Sequence, residues 1–301
     1  MEPSDWLSKL GQAVERLRSF ARAQPRRAAR PTAPGAVRRI GLALGGGFAR
    51  GLAHIGALKA LEESQIPVHC VAGTSIGSII GGAYASGVPV SEMAAVARRI
   101  RWKDFGSWTV SWRGLASNQR LEALVRRTFR ALRFEDLKIP FAVVATDLVH
   151  ACPVVFTEGE LGLAIRASCA YPGLFLPVAV NGSLLVDGVL VSAVPAEATR
   201  DLGADIVVSV SLDNLRNHLE PRNIAEIWAR ALSIATRAAE PVWRQESDVV
   251  VEPEVRQFDW DDFERADELI AAGEQAMRAK LPALRRLLEP ATLPQAATAT
   301  L

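Results

Sequence analysis

A serine between two glycines is the residue of this chain best placed to do chemistry. Gly73-Thr74-Ser75-Ile76-Gly77 follows a short apolar stretch typical of a buried strand, and the segment after it is apolar and compatible with a helix. A serine on such a sharp turn projects its hydroxyl from the end of the sheet, and small flanking residues leave room for the turn. The N-terminus of the following helix favours negative charge that develops beside it. The pattern predicts a nucleophile, although a five-residue motif of this kind also arises by chance.

Two further features could complete a site for acyl transfer, which needs a group that accepts the serine proton and donors for an oxyanion. The run Gly45-Gly46-Gly47 follows an apolar strand one strand–helix unit before Ser75 and could present backbone N–H groups. Asp187 ends a predicted strand just before Gly188, so its carboxylate could point into the same cleft. A turn-forming Asp-Gly pair is the alternative for this position.

The elements around these residues predict a sheet that brings them together. From Arg39 onward, apolar strands alternate with segments compatible with helices, which is typical of a parallel sheet covered on both faces. Asn181-Gly182 between two apolar runs predicts a hairpin whose second strand delivers Asp187. Ligands bind at the carboxyl edge of such sheets, so we expect the glycine run and Ser75 to face one crevice.

Other chemistries remain open for the same residues. Gly45-x-Gly47-x-x-Arg50 nearly matches a dinucleotide loop, but an arginine holds the third glycine position and no acidic residue ends the next strand. No Gly-Lys-Ser/Thr follows, so the run does not match a P-loop. A Ser-Asp-His triad needs a histidine after the acid, and only His218, in a polar loop, meets that order. We find no spacing typical of a metal site and expect neither metal nor cofactor.

The composition bounds the class of protein. The 301 residues are 49% hydrophobic and 23% charged, which is ordinary for a globular protein, and the net charge of +2 gives no case for nucleic acid. The three cysteines, Cys70, Cys152 and Cys169, are too few for a disulfide framework and fit a reducing compartment. No apolar run approaches the roughly 20 residues of a membrane span, and no secretory signal is evident. We therefore expect a cytoplasmic location.

Three regions are predicted along the chain. Residues 1–38 form an amphipathic basic helix over 1–23 plus a Pro/Arg-rich linker, residues 39–290 form the main domain, and residues 291–301 form a flexible tail. The N-terminal helix could lie on the anionic inner surface of the membrane, or dock on the main domain, or self-associate. Residues 101–118 carry four aromatic side chains in an irregular stretch; a loop anchored to the core is favoured over an acyl pocket or a lid.

Several motifs in order give the most specific indication. They are Leu44 to Leu58 (LGGGFARGLAHIGAL), the serine motif at 73–77, Arg166 to Gly173 (RASCAYPG), and Asp187-Gly188-Val189. With this spacing the chain resembles the patatin-like phospholipases, especially small bacterial members related to the catalytic domain of neuropathy target esterase. The resemblance covers residues 39–212 closely. It implies a three-layer α/β/α fold with a mainly parallel central sheet, a Ser–Asp dyad without histidine or metal, and hydrolysis of phospholipid or lysophospholipid acyl esters.

The resemblance also implies a role for each matching residue. Ser75 would be the nucleophile, Asp187 the base and the glycine run the oxyanion hole, with water cleaving an acyl-enzyme. The neighbouring motif positions that it marks are Arg50, Gly51, Gly73, Gly77 and Gly188. Phe48 and Val189 depart from the small residues usual at their positions. The alternative is a non-catalytic patatin-like scaffold or regulatory module. Substrate position and oligomeric state stay open.

Overall fold

The computed structural model describes residues 38–212, 220–221 and 223–289. The strands are β1 Ile40–Leu44, β2 Cys70–Thr74, β3 Ser107–Trp108, β4 Ala116–Ser117, β5 Phe141–Asp147, β6 Cys152–Phe156, β7 Val178–Val180, β8 Ser183–Asp187, β9 Ile206–Val210 and β10 Val249–Val251. The helices are α1 Ala53–Glu63, α2 Ile76–Ala85, α3 Val90–Ala97, α4 Trp102–Phe105, α5 Arg120–Thr128, α6 Leu161–Ser168, α7 Ala196–Asp201, α8 Ile224–Arg237, α9 Glu240–Gln245 and α10 Ala266–Leu288. The predicted helix over 1–23, the tail over 291–301 and His218 lie outside the described residues, and the division of the chain at residues 38 and 290 stays a prediction.

The central sheet is mainly parallel, as predicted. Within the described residues it has eight strands, in the order β10-β9-β1-β2-β5-β8-β7, with β6 also paired to β5. The first five strands of this order run parallel, and β6, β7 and β8 join by antiparallel pairs. The strands β3 and β4 form a separate two-stranded hairpin.

Two strands share one edge of β5, and this arrangement positions the candidate site. On that edge β2 pairs with Phe141 to Val144, and β8 pairs antiparallel with Ala145 to Asp147. The opposite edge of β5 pairs with β6, over residues Val143 to Asp147 of β5. The C-terminal ends of β2 and β8 therefore meet head to head beside β5. Thr74 lies opposite Val144 and Asp187 opposite the next residue, Ala145.

Helices cover both faces of the sheet because side chains alternate along each strand. In β1, Leu42 and Leu44 belong to the large buried cluster that includes residues of α1, α2 and α10, whereas Ala43 faces the opposite side with Ala196 of α7 and Trp243 of α9. The long helix α10 packs along α1. The fold is thus a three-layer α/β/α sandwich. Among the described helices, none combines the length and apolar character that a bilayer span requires.

Two segments that the sequence singled out are the Asn181-Gly182 turn and residues 101–118. Asn181 and Gly182 both have positive φ values, 48° and 85°, so the predicted tight hairpin forms between β7 and β8. The segment 101–118 contains α4 and the β3–β4 hairpin rather than an irregular loop. Its Trp102 stacks on Phe175, with ring centroids 5.6 Å apart, but Trp112 in the loop between β3 and β4 is fully exposed. The predicted anchoring to the core therefore describes only part of this segment.

Candidate active site

Ser75 stands on a strained turn between β2 and α2. Its backbone has φ 53° and ψ −125°, a conformation that non-glycine residues adopt where the surrounding structure imposes it. Gly73 and Gly77 are required by close approach, since a Cβ would lie 2.4 Å from the Gly77 oxygen in the first case and 2.0 Å from the Leu44 oxygen in the second. The Ser75 N–H donates to Ser168 Oγ at 2.8 Å. The turn is therefore constrained by the close packing of the two glycines and by the hydrogen bond to Ser168.

Asp187 lies directly opposite the serine hydroxyl. Ser75 Oγ donates to Asp187 Oδ2 at 2.7 Å, and the other carboxylate oxygen accepts the Val189 N–H at 2.9 Å. The Asp187 carbonyl accepts a hydrogen bond from Thr146 Oγ1, and the Asp187 N–H donates to the Ala170 carbonyl. The backbone groups of Asp187 are thus fixed on both sides. Val189 departs from the small residue usual at its position, but its backbone N–H still donates to the carboxylate.

Burial changes the acidity of this carboxylate. Only 1% of the Asp187 surface is exposed, and burial raises the pKa of its carboxyl from 3.8 to about 7, against the smaller opposite effect of hydrogen bonds from Val189 and Ser75. A carboxyl with such a pKa exchanges a proton readily near neutral pH, which an ordinary surface aspartate does not. The site therefore contains a carboxylate that can act as a general base.

The glycine run faces the serine, but only part of it can donate to a ligand. Gly46 lies against Ser75, because a Cβ on Gly46 would be 3.4 Å from the serine Cβ. The N–H of Gly45 donates to the Val210 carbonyl and that of Gly46 to the Ala193 carbonyl, each at 3.1 Å. Within the described residues, the N–H groups of Gly47 and Ile76 have no hydrogen-bond acceptor. The N–H groups that are left to donate to a ligand thus belong to one member of the predicted run and to the first residue of α2.

Two buried polar side chains hold this constellation, and sequence reasoning gave neither of them a role. His54 in α1 is fully buried, and its Nε2 donates to the Gly45 carbonyl at 2.8 Å. Burial lowers the pKa of this imidazole to about 4, so it is neutral when it makes this contact. Ser168 accepts the Ser75 N–H and donates to the Val144 carbonyl at 2.6 Å. The sequence signal at both positions is a polar residue whose immediate neighbours, such as Ala53 and Ile55 or Ala167 and Cys169, are apolar or small.

Arg50 is a structural neighbour of the glycine run. It is buried, and its Nε and Nη2 donate to the Phe258 carbonyl at 3.0 and 2.8 Å. The guanidinium therefore ties the 3-10 turn Phe48–Leu52 to the segment before α10. Of the other predicted motif positions, Gly51 contacts Ile76, and Gly188 packs against the Val144 carbonyl.

A cavity of about 1230 Å³ opens above the serine. Ser75, Asp187, Gly46, Gly47 and Arg50 line its base. Its apolar lining beside the serine consists of Phe48, Tyr171, Leu174, Val189, Leu212 and Trp260. Phe48 contacts Tyr171 and Trp260 edge to face, with ring centroids 5.1 and 5.5 Å apart. The helices α8 and α9 add charged residues to the lining. The volume and the mainly apolar lining suit an acyl chain with a polar end.

Comparison with known proteins assigns this architecture. A family model described as patatin-like phospholipase matches residues 42–200. The chain belongs to the patatin-like phospholipase family. The Legionella pneumophila protein VipD shares the fold, with a TM-score of 0.51 and 13% identity over 83% of this chain and 68% of VipD.

Curated relatives match more than half of this patatin-like chain. An uncharacterized NTE family protein of Mycobacterium tuberculosis is 35% identical over 207 residues, 66% of this chain and 57% of the relative. Lysophospholipase nte1 of Aspergillus fumigatus is 32% identical over 205 residues, and neuropathy target esterase sws of Drosophila melanogaster is 34% identical over 183 residues. These alignments cover 65% and 58% of this chain, and 13% of each relative. The chain thus spans little more than half of the mycobacterial relative and a small part of the other two.

Proposed function

We propose that this patatin-like chain is a serine acyl hydrolase that cleaves acyl esters of phospholipids or lysophospholipids. The observation that carries the proposal is the 2.7 Å hydrogen bond between Ser75 Oγ and the buried Asp187 carboxylate at the base of a large, mainly apolar cavity. A serine is a weak nucleophile unless a base takes its proton, and a carboxylate with a pKa of about 7 is a competent base near neutral pH.

In the first step, Ser75 Oγ attacks the ester carbonyl while its proton passes to Asp187 Oδ2. The carbonyl oxygen becomes an oxyanion, which the N–H groups of Gly47 and Ile76 stabilise together with the N-terminal end of α2. The C–O bond to the leaving alcohol then breaks. Asp187 returns the proton to the alcohol oxygen, so the carboxylate is regenerated and an acyl group remains on the serine.

In the second step, water attacks the acyl carbonyl and Asp187 takes the proton from that water. The same donors stabilise the second oxyanion, and its collapse releases the fatty acid as Ser75 Oγ regains a proton from Asp187. The strained turn at Ser75 and the Ser168 contact keep the nucleophile in place through both steps. Restricting the motion of the nucleophile in this way lowers the entropic part of the barrier.

The lipid assignment is supported by the mainly apolar lining of the cavity and by relatives that carry the name lysophospholipase. In this proposal an acyl chain packs on Phe48, Leu174 and Leu212, and the charged residues that α8, α9 and the segment before α10 add to the lining contact the polar part of the substrate. This substrate class implies a place in lipid metabolism, and we propose the cytoplasmic face of the membrane as the location.

A fluorophosphonate probe tests the proposal, because it labels only an activated serine. We expect labelling of the full chain and hydrolysis of p-nitrophenyl acyl esters, with both lost in Ser75→Ala by a factor of roughly 10³ or more. Ser233→Ala is the matched control: this serine lines the same cavity, and its hydroxyl donates to the Ala229 carbonyl. Labelling that persists in Ser75→Ala, or more than about a tenth of the activity, contradicts the assignment. A folded but unreactive wild-type chain would instead indicate a non-catalytic scaffold.

A further inference from the structure

The β3–β4 hairpin carries apolar side chains that no part of the described chain covers. Its tip, residues 109–115, presents Val110 and Trp112 with exposures of 105% and 106%, as high as in an extended chain. Leu115 on the tip and Trp108 beside it are more than half exposed. The base of the hairpin is well anchored, because Trp102 stacks on Phe175 and the Leu115 N–H donates to the Leu174 carbonyl. The fold therefore presents the tip outward.

Basic residues surround this hairpin. Residues 98–133 contain ten Lys and Arg against two Asp and Glu, whereas the whole chain has a net charge of only +2. Four of these arginines, at positions 98, 127, 130 and 133, form ion pairs with carboxylates, so the charge at the tip comes from the others. Arg113 lies on the tip, and Lys103 and Arg120 flank the hairpin and contact each other through the Lys103 carbonyl. These three side chains are exposed, and in the described part of the chain none has a carboxylate at ion-pair distance. The surface around the tip is therefore positively charged.

The tip also borders the mouth of the cavity that contains Ser75. Leu115 lines that cavity, as do Trp228 and Ile224 of α8, which are exposed by 53% and 85%. The Trp228 indole donates to the Pro172 carbonyl. Two residues further along the same segment, the Leu174 carbonyl accepts the Leu115 N–H. The exposed apolar side chains of the two elements thus lie along one rim.

We propose that the hairpin tip docks this protein on an anionic phospholipid bilayer. Trp112 and Val110 enter the interfacial region, where Trp rings are favoured, while Arg113, Lys103 and Arg120 contact lipid phosphates. Net positive charge beside an uncovered apolar tip fits this occupant better than a second copy of the chain, whose tip would carry the same charge. The inference rests on the proposed function in one respect: docking holds the cavity mouth at the surface where a lipid substrate lies.

Co-sedimentation of the full chain with vesicles tests the docking. Vesicles of phosphatidylcholine alone are compared with vesicles that also contain phosphatidylglycerol, at low and high salt. We expect binding to the anionic vesicles that salt weakens, and a loss of roughly tenfold or more in partitioning for Val110→Ser/Trp112→Ser and for Arg113→Glu. Turnover of a soluble short-chain ester should be unchanged in these variants, because none of the three side chains lines the cavity.

Matched controls lie elsewhere on the fold. Arg286→Glu makes the same change of charge on α10. The neighbouring Leu287 carbonyl accepts a hydrogen bond from Arg38, which precedes β1, so this control lies at the amino ends of the parallel strands, away from Ser75. Val155→Ser changes a half-exposed valine on the edge strand β6. Both should bind vesicles as the wild type does. The Ser75→Ala variant should also bind normally, so a failure of the proposed function and a failure of the docking are distinguishable.

Three outcomes overturn the proposal. The first is equal vesicle binding by the tip variants and the wild type. The second is a change of oligomeric size in the tip variants without a change in vesicle binding, which would assign the tip to a contact between copies. The third is a fall in melting temperature larger than in the Val155→Ser control, which would show that the tip packs against this chain itself.

Discussion

Replacing Asp187 by Asn should inactivate the protein and at the same time stabilise it, by an amount that depends on pH. The substitution keeps the shape of the side chain, and the amide oxygen can still accept the Val189 N–H. It removes both the proton acceptor and the charge. Loss of general-base catalysis lowers kcat by roughly 10²–10⁴-fold.

The size of the stabilisation follows from the pKa of Asp187. Burial raises the pKa of this carboxyl from 3.8 to about 7, so the folded state favours the protonated form more than the unfolded state does. The stability that the protonated Asp187 carboxyl contributes is therefore fully present below pH 3.8. It is lost progressively above that pH, and the loss is complete once the pH has risen through about 7. Linkage gives a penalty for the buried charge of about 4 kcal/mol at pH 8 and about 1.5 kcal/mol at pH 5. Asn carries no charge at either pH, so the variant avoids this penalty.

The assay is urea unfolding of the wild type and Asp187→Asn at both pH values, with ester turnover measured on the same samples. The free energy of unfolding of the variant should exceed that of the wild type by roughly 2.5 kcal/mol more at pH 8 than at pH 5. Asp136→Asn is the control, because this aspartate is exposed in the 3-10 turn Phe134–Asp136. The kcat/KM of the wild type should rise with pH and level off above about 7.

A stabilisation that is equal at the two pH values would refute this reasoning, because it would mean that the Asp187 carboxylate is not desolvated in the folded state. A variant that retained its activity would refute the role of base independently. The two readouts separate the electrostatic argument from the mechanistic one.

Three further predictions concern other parts of the chain. Ser168→Ala leaves the Ser75 N–H without its acceptor, so we expect kcat to fall about tenfold with little change in KM, and stability to fall by about 1–3 kcal/mol. His218→Ala should cost little activity in an ester assay; inactivity as complete as that of Ser75→Ala, with the fold intact, would favour a Ser-Asp-His triad. Deletion of residues 1–36 should weaken binding to anionic vesicles while soluble ester turnover persists; a lower melting temperature or altered oligomer size with unchanged binding would contradict a membrane role for that segment.

Much of the sheet follows from the sequence, as does the placement of the candidate residues Ser75 and Asp187 at strand ends. Apolar strands followed by helices predict the parallel part of the sheet, and Asn181-Gly182 predicts the hairpin before Asp187, because these patterns are local. The direction of β8 does not follow, since strand pairing is decided by contacts between distant segments. The sequence placed Asp187 at a strand end, but only the register beside β5 shows why that end meets Ser75.

The parts that sequence reasoning missed depend on contacts between distant residues. The roles of His54 and Ser168 come from carbonyl and N–H groups of the turns that they hold, and no spacing in the chain reveals such partners. The same holds for Gly45 and Gly46, whose N–H groups are satisfied by the distant carbonyls of Val210 and Ala193. The aromatic residues of 101–118 looked alike in sequence, but packing separates the partly buried Trp102, which stacks on Phe175, from the exposed Trp112 at the tip.

The head-to-head meeting of β2 and β8 explains how a carboxylate alone could serve as the base. A strand that continued past Thr74 would fill the space beside Ala145 with its own backbone; instead β8 enters that space from the opposite direction and ends at Asp187. The carboxylate is then enclosed by the sheet, which removes water from it and raises its pKa. The same enclosure makes the charged form destabilising near neutral pH. The proposed role of Asp187 as the base and its cost in stability thus have one structural cause, and Asp187→Asn should relieve the cost only by losing the role.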